Sequence, residues 1–246
     1  MSPFDPSKFI KQTLSGSHYG FSGTRIDDLG AAEYTLVTIV CDQSGSVSGF
    51  RTEIEACIDQ IVKACQRSPR ADNLMLRLVS FDSTLSEVHG FKPIMECSPA
   101  DYQHFLQCGG CTALYDASVN AVSALSAYGQ DLVDHGFSAN GIVFVVTDGE
   151  DNTSNATAKT VRDVLTQGVS GEHLESLLSV LVGVNVGSGP VSAGLMDFSA
   201  KAGFTEYIEI AKANTSTLAG LARFASRSIA AQSVMLGSGK SASLSF

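Results

Sequence analysis

Tryptophan and long hydrophobic runs are both absent from this 246-residue chain. Its longest largely apolar stretches, such as residues 142–146 and 177–182, are far shorter than the roughly 18 to 20 residues that a membrane-spanning helix needs. The sequence therefore predicts no transmembrane segment. Hydrophobic residues still make up 44% of the chain, which is enough to bury the core of one large α/β domain.

Positive charge is scarce. The chain has 16 Lys and Arg against 25 Asp and Glu, with a net charge of −9 and no basic run. Because nucleic acid requires a clustered basic surface, this composition argues against nucleic-acid binding. Residues 1–8 contain two prolines and an acid where a signal peptide would have a basic region followed by an apolar one. We therefore expect a cytoplasmic protein.

Cysteines are few and do not form a dense framework. Four of the six lie within largely apolar segments, which predicts buried, reduced thiols and agrees with a reducing compartment. The other two form the motif Cys108-Gly109-Gly110-Cys111. This motif can be a redox pair, half of a zinc site or two reduced loop thiols, but no second pair or nearby His completes a zinc site. A disulfide there would tether the loop beside Thr112.

The chain divides into three parts. Residues 1–33 are rich in Ser and Gly without a sustained period and predict an irregular N-terminal arm, whereas residues 236–246 predict a flexible C-terminal tail. Between them, residues 34–235 alternate buried strands with amphipathic segments. This pattern predicts a Rossmann-like, three-layer α/β sandwich. Its mostly parallel sheet has about six strands with one antiparallel edge strand, and helices cover both faces.

The apolar and amphipathic patterns also predict individual elements. Strands are expected at about 34–41, 74–81, 84–88, 142–147, 177–184 and 205–210. The second and third of these are close enough to form a hairpin. Helices are expected at about 50–67, 100–107, 113–128, 157–168, 192–202 and 214–232.

Oxygen-bearing side chains follow two of the apolar runs. Asp42, Ser44 and Ser46 come directly after the first predicted strand, and Asp148 follows the strand at 142–147. Thr112 precedes the helix at 113–128. Since ligands of open α/β sheets bind at the carboxyl ends of strands, these groups would converge if the two strands are neighbours. Carboxylates and hydroxyls are ligands for hard cations, which predicts a site for Mg²⁺ or a similar ion.

The pattern Asp42-x-Ser44-x-Ser46, Thr112 and Asp148-Gly149 resembles the metal-ion-dependent adhesion site (MIDAS) of von Willebrand factor A-type domains. The resemblance covers roughly residues 33–235. It implies that the three hydroxyls bind Mg²⁺, or Mn²⁺ or Ca²⁺, while the two aspartates act directly or through water. It also implies that a protein partner supplies an Asp or Glu to the metal. The chain would then be an interaction module and not an enzyme, within an intracellular complex.

Two alternatives remain open at this point. A Mg²⁺-dependent phosphohydrolase also has Asp at a strand end, but its motif would be Asp-x-Asp, and residue 44 is Ser. A metal-independent assembly scaffold with a structural cation would differ in its partner and not in its site. Of the nearby acids, Asp116 is a candidate to support the ligands, whereas Glu150 and Asp151 are interpreted as loop residues.

Overall fold

Eight strands form one sheet in the part of the chain that the computed structural model describes, residues 9–14, 19–170, 174–187, 189–238, 240–241 and 246. The strands are β1 (Phe9–Thr13), β2 (Gly20–Thr24), β3 (Glu33–Asp42), β4 (Leu74–Phe81), β5 (Leu85–Pro93), β6 (Ser138–Thr147), β7 (Leu177–Val184) and β8 (Glu206–Ile210). Their order across the sheet is β1-β2-β5-β4-β3-β6-β7-β8. Strand β3 is therefore central and pairs in parallel with both β4 and β6.

Five α-helices within the described residues cover the two faces of the sheet. They are α1 (Arg51–Gln66), α2 (Leu114–Asp134), α3 (Ala158–Ser170), α4 (Pro190–Ala202) and α5 (Thr215–Val234). Helices α1 and α5 pack on one face, and α2, α3 and α4 pack on the other, each with its own apolar core. The continuous apolar runs of β3, β6 and β7 are explained by burial on both faces.

The three-layer α/β sandwich is confirmed, but the expected sheet of about six strands is too small. The expected irregular arm is also wrong where it is described, because residues 9–13 and 20–24 are strands β1 and β2. The alternation of apolar and polar residues could not predict β2, because its Gly-Phe-Ser-Gly-Thr segment has only one large apolar side chain. That side chain, Phe21, packs edge-on against Phe91 and Tyr128, and the Tyr128 hydroxyl donates to the Thr24 carbonyl at 2.8 Å.

The expected position of the antiparallel strand at the edge of the sheet is wrong as well. Strands β4 and β5 form the expected hairpin, but β5 lies inside the sheet because β2 pairs in parallel along its other side. Strand β1, antiparallel to β2, is the edge strand on that side of the sheet. Contacts between residues distant in sequence, not the local pattern, therefore place β2 and β1 beside the β4–β5 hairpin.

The expected helix at 100–107 is also wrong. Residues Pro99–Tyr102 form a single 3₁₀ turn, and the chain then runs without helix to α2. The Leu106 backbone N–H donates to the Glu55 carboxylate of α1 at 3.2 Å. This contact fixes the segment against α1 in place of an intrahelical hydrogen bond.

The C-terminal residues 239 and 242–245, within the expected flexible tail, lie outside the described residues. Among those that are described, the Ser241 hydroxyl donates to the Leu177 carbonyl at 3.3 Å, and the Phe246 ring lies 5.6 Å from that of Phe224. No helix within the described residues combines the length and hydropathy needed to cross a membrane.

A half-buried histidine on β5 predicts a pH dependence of folding. The His89 Nδ1 and Nε2 atoms lie 3.0 Å from the Gly90 carbonyl oxygen and 3.3 Å from the Tyr102 hydroxyl. Burial, with the charge of Lys92, lowers the pKa of His89 from 6.5 to about 4. Because the folded state prefers the neutral ring, the contribution of His89 to stability falls as the pH drops from 6.5 through 4.

We expect His89→Gln to remove this dependence. Between pH 7 and pH 5 the wild type should lose about 2 kcal/mol more unfolding free energy than the variant, which is the differential protonation of one such ring. Denaturant unfolding of both proteins at the two pH values measures the difference. Parallel pH profiles would contradict the assignment.

Candidate metal centre

The two strands that carry the aspartates are neighbours. Strands β3 and β6 pair in parallel from Glu33 opposite Ser138 to Cys41 opposite Val146. Asp42 and Thr147 therefore follow the last pair at the carboxyl edge of the sheet, and Asp148 begins the loop after β6. The condition that the sequence left open, adjacency of these two strands, is met.

Asp42 is fixed by two donors from opposite sides. Its Oδ1 accepts the Ser44 backbone N–H at 2.7 Å, and its Oδ2 accepts the Thr147 hydroxyl at 2.6 Å. The residue is 1% exposed. Because each carboxylate oxygen already has a protein donor, Asp42 is suited to orient the loop and to bind a metal-coordinated water.

The serines connect the two loops. The Ser44 and Ser46 hydroxyl oxygens lie 3.2 Å apart, and the Ser46 hydroxyl donates to Asp148 Oδ1 at 2.8 Å. Ser44 is buried, Ser46 is exposed and Asp148 is half-buried. Three of the five predicted ligands thus form one chain of oxygen atoms that opens to the surface at Ser46.

Thr112 reaches the same edge through its backbone. Its N–H donates to Asn152 Oδ1 at 2.9 Å, and its carbonyl accepts the Asn152 N–H at 3.0 Å. Asn152 belongs to the loop that begins at Asp148. On its other side, the Ala113 N–H donates to the Asp82 carbonyl after β4 at 2.7 Å. The segment with Thr112 therefore crosses the carboxyl ends of β4, β3 and β6.

The carboxylates carry an electrostatic cost in the protein without a cation. Partial burial raises the pKa of Asp148 to about 6; the hydrogen bond from Ser46 opposes this rise and the charge of Asp42 adds to it. Burial also raises the pKa of Asp42, against hydrogen bonds from Thr147 and Ser44. A bound cation would favour the charged form of both groups.

The donor set fits a hard divalent cation. Among the described residues, no three His, Cys, Asp or Glu side chains are grouped so that they could hold an ion. The site offers two carboxylates with hydroxyls instead, and such a set with retained waters suits Mg²⁺ better than Zn²⁺. Ser44, Ser46 and Thr112 would supply hydroxyl oxygens to the ion, with Asp42 and Asp148 charge-balancing it.

Sequence reasoning missed the residues that position these ligands. Thr147 is the last residue of the strand expected at 142–147, and no local pattern marks Asn152 as a residue that positions ligands. Gln43 was also missed: its carbonyl accepts the Gly109 N–H at 2.8 Å, and its Oε1 accepts the Gln107 N–H at 3.1 Å. The position of Thr147 directly before Asp148 was the available signal, whereas the contacts of Asn152 and Gln43 depend on loops distant in sequence.

Among the nearby acids, Asp116 holds the loop after β6, because its carboxylate accepts the backbone N–H groups of Asn155 and Ala156 at 3.1 and 2.8 Å. Asp151 accepts the Tyr115 N–H at 3.2 Å in the first turn of α2. Both interactions join the loop after β6 to the first turn of α2, and the expected role of Asp116 in supporting the ligands stays a prediction.

Thr147→Val should weaken metal binding while retaining the fold. The substitution keeps the side-chain shape but removes the hydroxyl that donates to Asp42. We expect a loss of about 10- to 100-fold in Mg²⁺ affinity, as for other groups that orient metal ligands. Calorimetric titration measures it. Thr166→Val removes an exposed hydroxyl from α3 and is the matched control, which should bind Mg²⁺ as tightly as the wild type does. A Mg²⁺ affinity of Thr147→Val equal to that of the wild type would disprove the orienting role of Thr147.

No protein-family model matches the chain, and no curated protein matches its sequence. Solved structures do share the fold. The PilB minor pilin of Streptococcus sanguinis has a TM-score of 0.58 at 13% identity, covering 84% of this chain and 64% of that one. Proximal thread matrix protein 1 (PTMP1) from the mussel byssus has a TM-score of 0.54 at 16% identity, covering 81% and 46%.

The pilus adhesin SpaC of Lactobacillus rhamnosus GG has a TM-score of 0.56 at 9% identity, covering 81% of this chain and 30% of that chain. This chain thus spans less than two thirds of each of these proteins. One PTMP1 structure, with a TM-score of 0.55 at 17% identity and coverage of 81% and 46%, has a zinc-occupied MIDAS motif.

These likenesses establish the fold alone, since the identities are low. The chain has a von Willebrand factor A-like α/β fold. The neighbours described above are pilin, adhesin and matrix proteins.

Proposed function

We propose that this chain is a divalent-cation-dependent protein-interaction module. Asp42, Ser44, Ser46, Thr112 and Asp148 would hold Mg²⁺, or Mn²⁺ or Ca²⁺, and a protein partner would supply an Asp or Glu to the ion. The hydrogen bond between Ser46 and Asp148 carries the proposal, because it joins ligands 102 residues apart into one oxygen-lined site at the surface.

The polarity of the site supports an acidic partner. A cation held by hydroxyls and two carboxylates keeps part of its positive charge, and Ser46 opens the site to solvent. A carboxylate from outside can therefore complete the coordination. The protein's net charge of −9 disfavours long-range attraction of such a partner, so the contact would be local and metal-dependent.

Calorimetry tests the metal part of the proposal. Chelator-stripped protein is titrated with Mg²⁺ and with Mn²⁺, beside the Ser44→Ala/Ser46→Ala double variant. We expect binding by the wild type and loss in the double variant, because two hydroxyl ligands are removed. Equal binding by both proteins would assign the metal to another place, and absence of binding to the wild type would favour a metal-independent scaffold.

A carboxylate probe tests the partner part. A short peptide with one Glu is added to the Mn²⁺-loaded protein, and water-proton relaxation reports displacement of metal-bound water. We expect the Glu peptide to lower the relaxation and the same peptide with Gln to leave it unchanged. Equal effects of both peptides would contradict carboxylate capture. A cytoplasmic location for this interaction is part of the proposal, and cell fractionation tests it.

A further inference from the structure

The two cysteines beside Thr112 are the thiols of this protein that solvent reaches most easily. Cys111 is exposed and Cys108 is half-buried. The other four cysteines are at most 4% exposed and lie in the apolar core between the sheet, α1 and α5: Cys41, Cys57, Cys65 and Cys97. An oxidant in solution would therefore meet Cys111 first, and its nearest thiol along the chain is Cys108.

Hydrogen bonds connect the Cys108–Cys111 segment to the Asp42–Ser44 loop of the candidate metal centre and to the turn between β4 and β5. The Gly109 N–H donates at 2.8 Å to the carbonyl of Gln43, the residue between Asp42 and Ser44. The Cys111 N–H donates to the Ser83 hydroxyl at 3.0 Å. A change of backbone conformation in this segment would thus act on the Asp42–Ser44 loop and on Thr112 together.

The backbone of the segment is held in one particular shape. Gly110 has a φ of 72°, in the left-handed region, and a Cβ at this position would lie 3.1 Å from the Ser83 hydroxyl and 3.3 Å from Asp82 Cβ. Disulfide closure requires the two Cα atoms to come within about 4.4 to 6.8 Å with matched Cβ directions. The two intervening glycines permit that adjustment, but the present hydrogen bonds oppose it.

We propose that Cys108 and Cys111 form a disulfide that weakens metal binding at the neighbouring site. The inference rests on the proposed metal-binding function. With glutathione disulfide as oxidant, the Cys111 thiolate attacks one sulfur and expels one glutathione thiolate. The Cys108 thiolate then attacks the Cys111 sulfur and expels the second. Two protein thiols are oxidised, and one glutathione disulfide takes up two electrons and two protons to become two glutathione thiols.

The test compares metal affinity in two redox states. Reduced protein, freed of reductant and chelator, is titrated with Mn²⁺ before and after treatment with glutathione disulfide, and peptide mapping under non-reducing conditions identifies the bond. We expect a Cys108–Cys111 disulfide and a loss of about 10- to 100-fold in Mn²⁺ affinity, as when groups that orient a ligand are disturbed. Re-reduction should restore the affinity.

The Cys108→Ser/Cys111→Ser variant is the control and should bind Mn²⁺ equally before and after treatment. A mapped disulfide with unchanged affinity would overturn the inference and leave the proposed function intact. Failure of the disulfide to form would overturn it in the same way. Reduced wild-type protein that binds no Mn²⁺ would instead refute the metal site itself, and the inference with it.

Discussion

Asp148→Asn is expected to abolish Mg²⁺ binding and, without metal, to make the protein more stable at pH 7.5. The amide oxygen can still accept the Ser46 hydroxyl, but the negative charge is lost. We expect the Mg²⁺ affinity to fall by more than about 100-fold, beyond the range for groups that only orient ligands. Asp148→Ala should also lose metal-dependent binding. Calorimetry measures the affinity, and thermal melting with chelator measures the stability.

The sign of the stability change follows from the carboxyl pKa. Burial raises the pKa of Asp148 from 3.8 to about 6, so the folded protein holds this proton more tightly than the unfolded chain does. In metal-free wild type the contribution of Asp148 to stability should therefore rise as the pH falls through 6 toward 3.8, and the advantage of the variant over the wild type should shrink over the same interval.

Glu150→Gln removes one charge from an exposed position of the same loop and is the matched control. It should retain Mg²⁺ binding. Wild-type affinity in Asp148→Asn would refute the ligand assignment, whereas equal melting of metal-free wild type and Asp148→Asn at pH 7.5 would refute the electrostatic argument alone.

Asp42→Ala is a less specific test. Asp42 is buried and accepts two protein donors, so its removal leaves the Ser44 N–H and the Thr147 hydroxyl without their acceptor. An unsatisfied buried polar group costs about 1 to 3 kcal/mol. Lost metal binding in this variant would therefore be accompanied by lost stability.

Glu87→Ala should strongly destabilise the folded protein. Arg77 of β4 is 1% exposed, and its Nε donates to Glu87 Oε2 at 2.7 Å. Glu87 also accepts the Ser22 hydroxyl at 2.6 Å, which ties β2 to β5. Removing the carboxylate leaves a buried guanidinium without its counter-charge, and we expect a cost of about 3 kcal/mol in unfolding free energy.

Denaturant unfolding measures this cost. Glu96→Ala removes an exposed carboxylate and should change the unfolding free energy by less than about 0.5 kcal/mol. In the double variant Arg77→Met/Glu87→Gln the buried charge is gone, and stability should return to within about 1 kcal/mol of the wild type. A loss in the double variant as large as in Glu87→Ala would contradict the explanation by an unpaired buried charge.

The central strands could be predicted closely because burial on both faces leaves a continuous apolar run. Strand β3 was expected at 34–41 and spans Glu33–Asp42, and β7 was expected at 177–184 and spans Leu177–Val184. The N-terminal hairpin could not be predicted in this way. Its residues are small and polar, and β2 is held by Phe91 and Tyr128, which lie about 70 and 100 residues further along the chain.

The local sequence determines which ligand atoms are present and that they lie at the ends of strands. The ligands stand directly after apolar runs that can only be strands or buried helices: Asp42, Ser44, Ser46 and Asp148. Their convergence was decided by the pairing of β3 with β6, and no local pattern encodes which strands become neighbours. The orientation of the site likewise depends on Thr147, Asn152 and Gln43, whose hydrogen bonds exist only after distant loops have met. Composition and spacing therefore specify the chemistry of this edge, whereas long-range packing specifies its geometry.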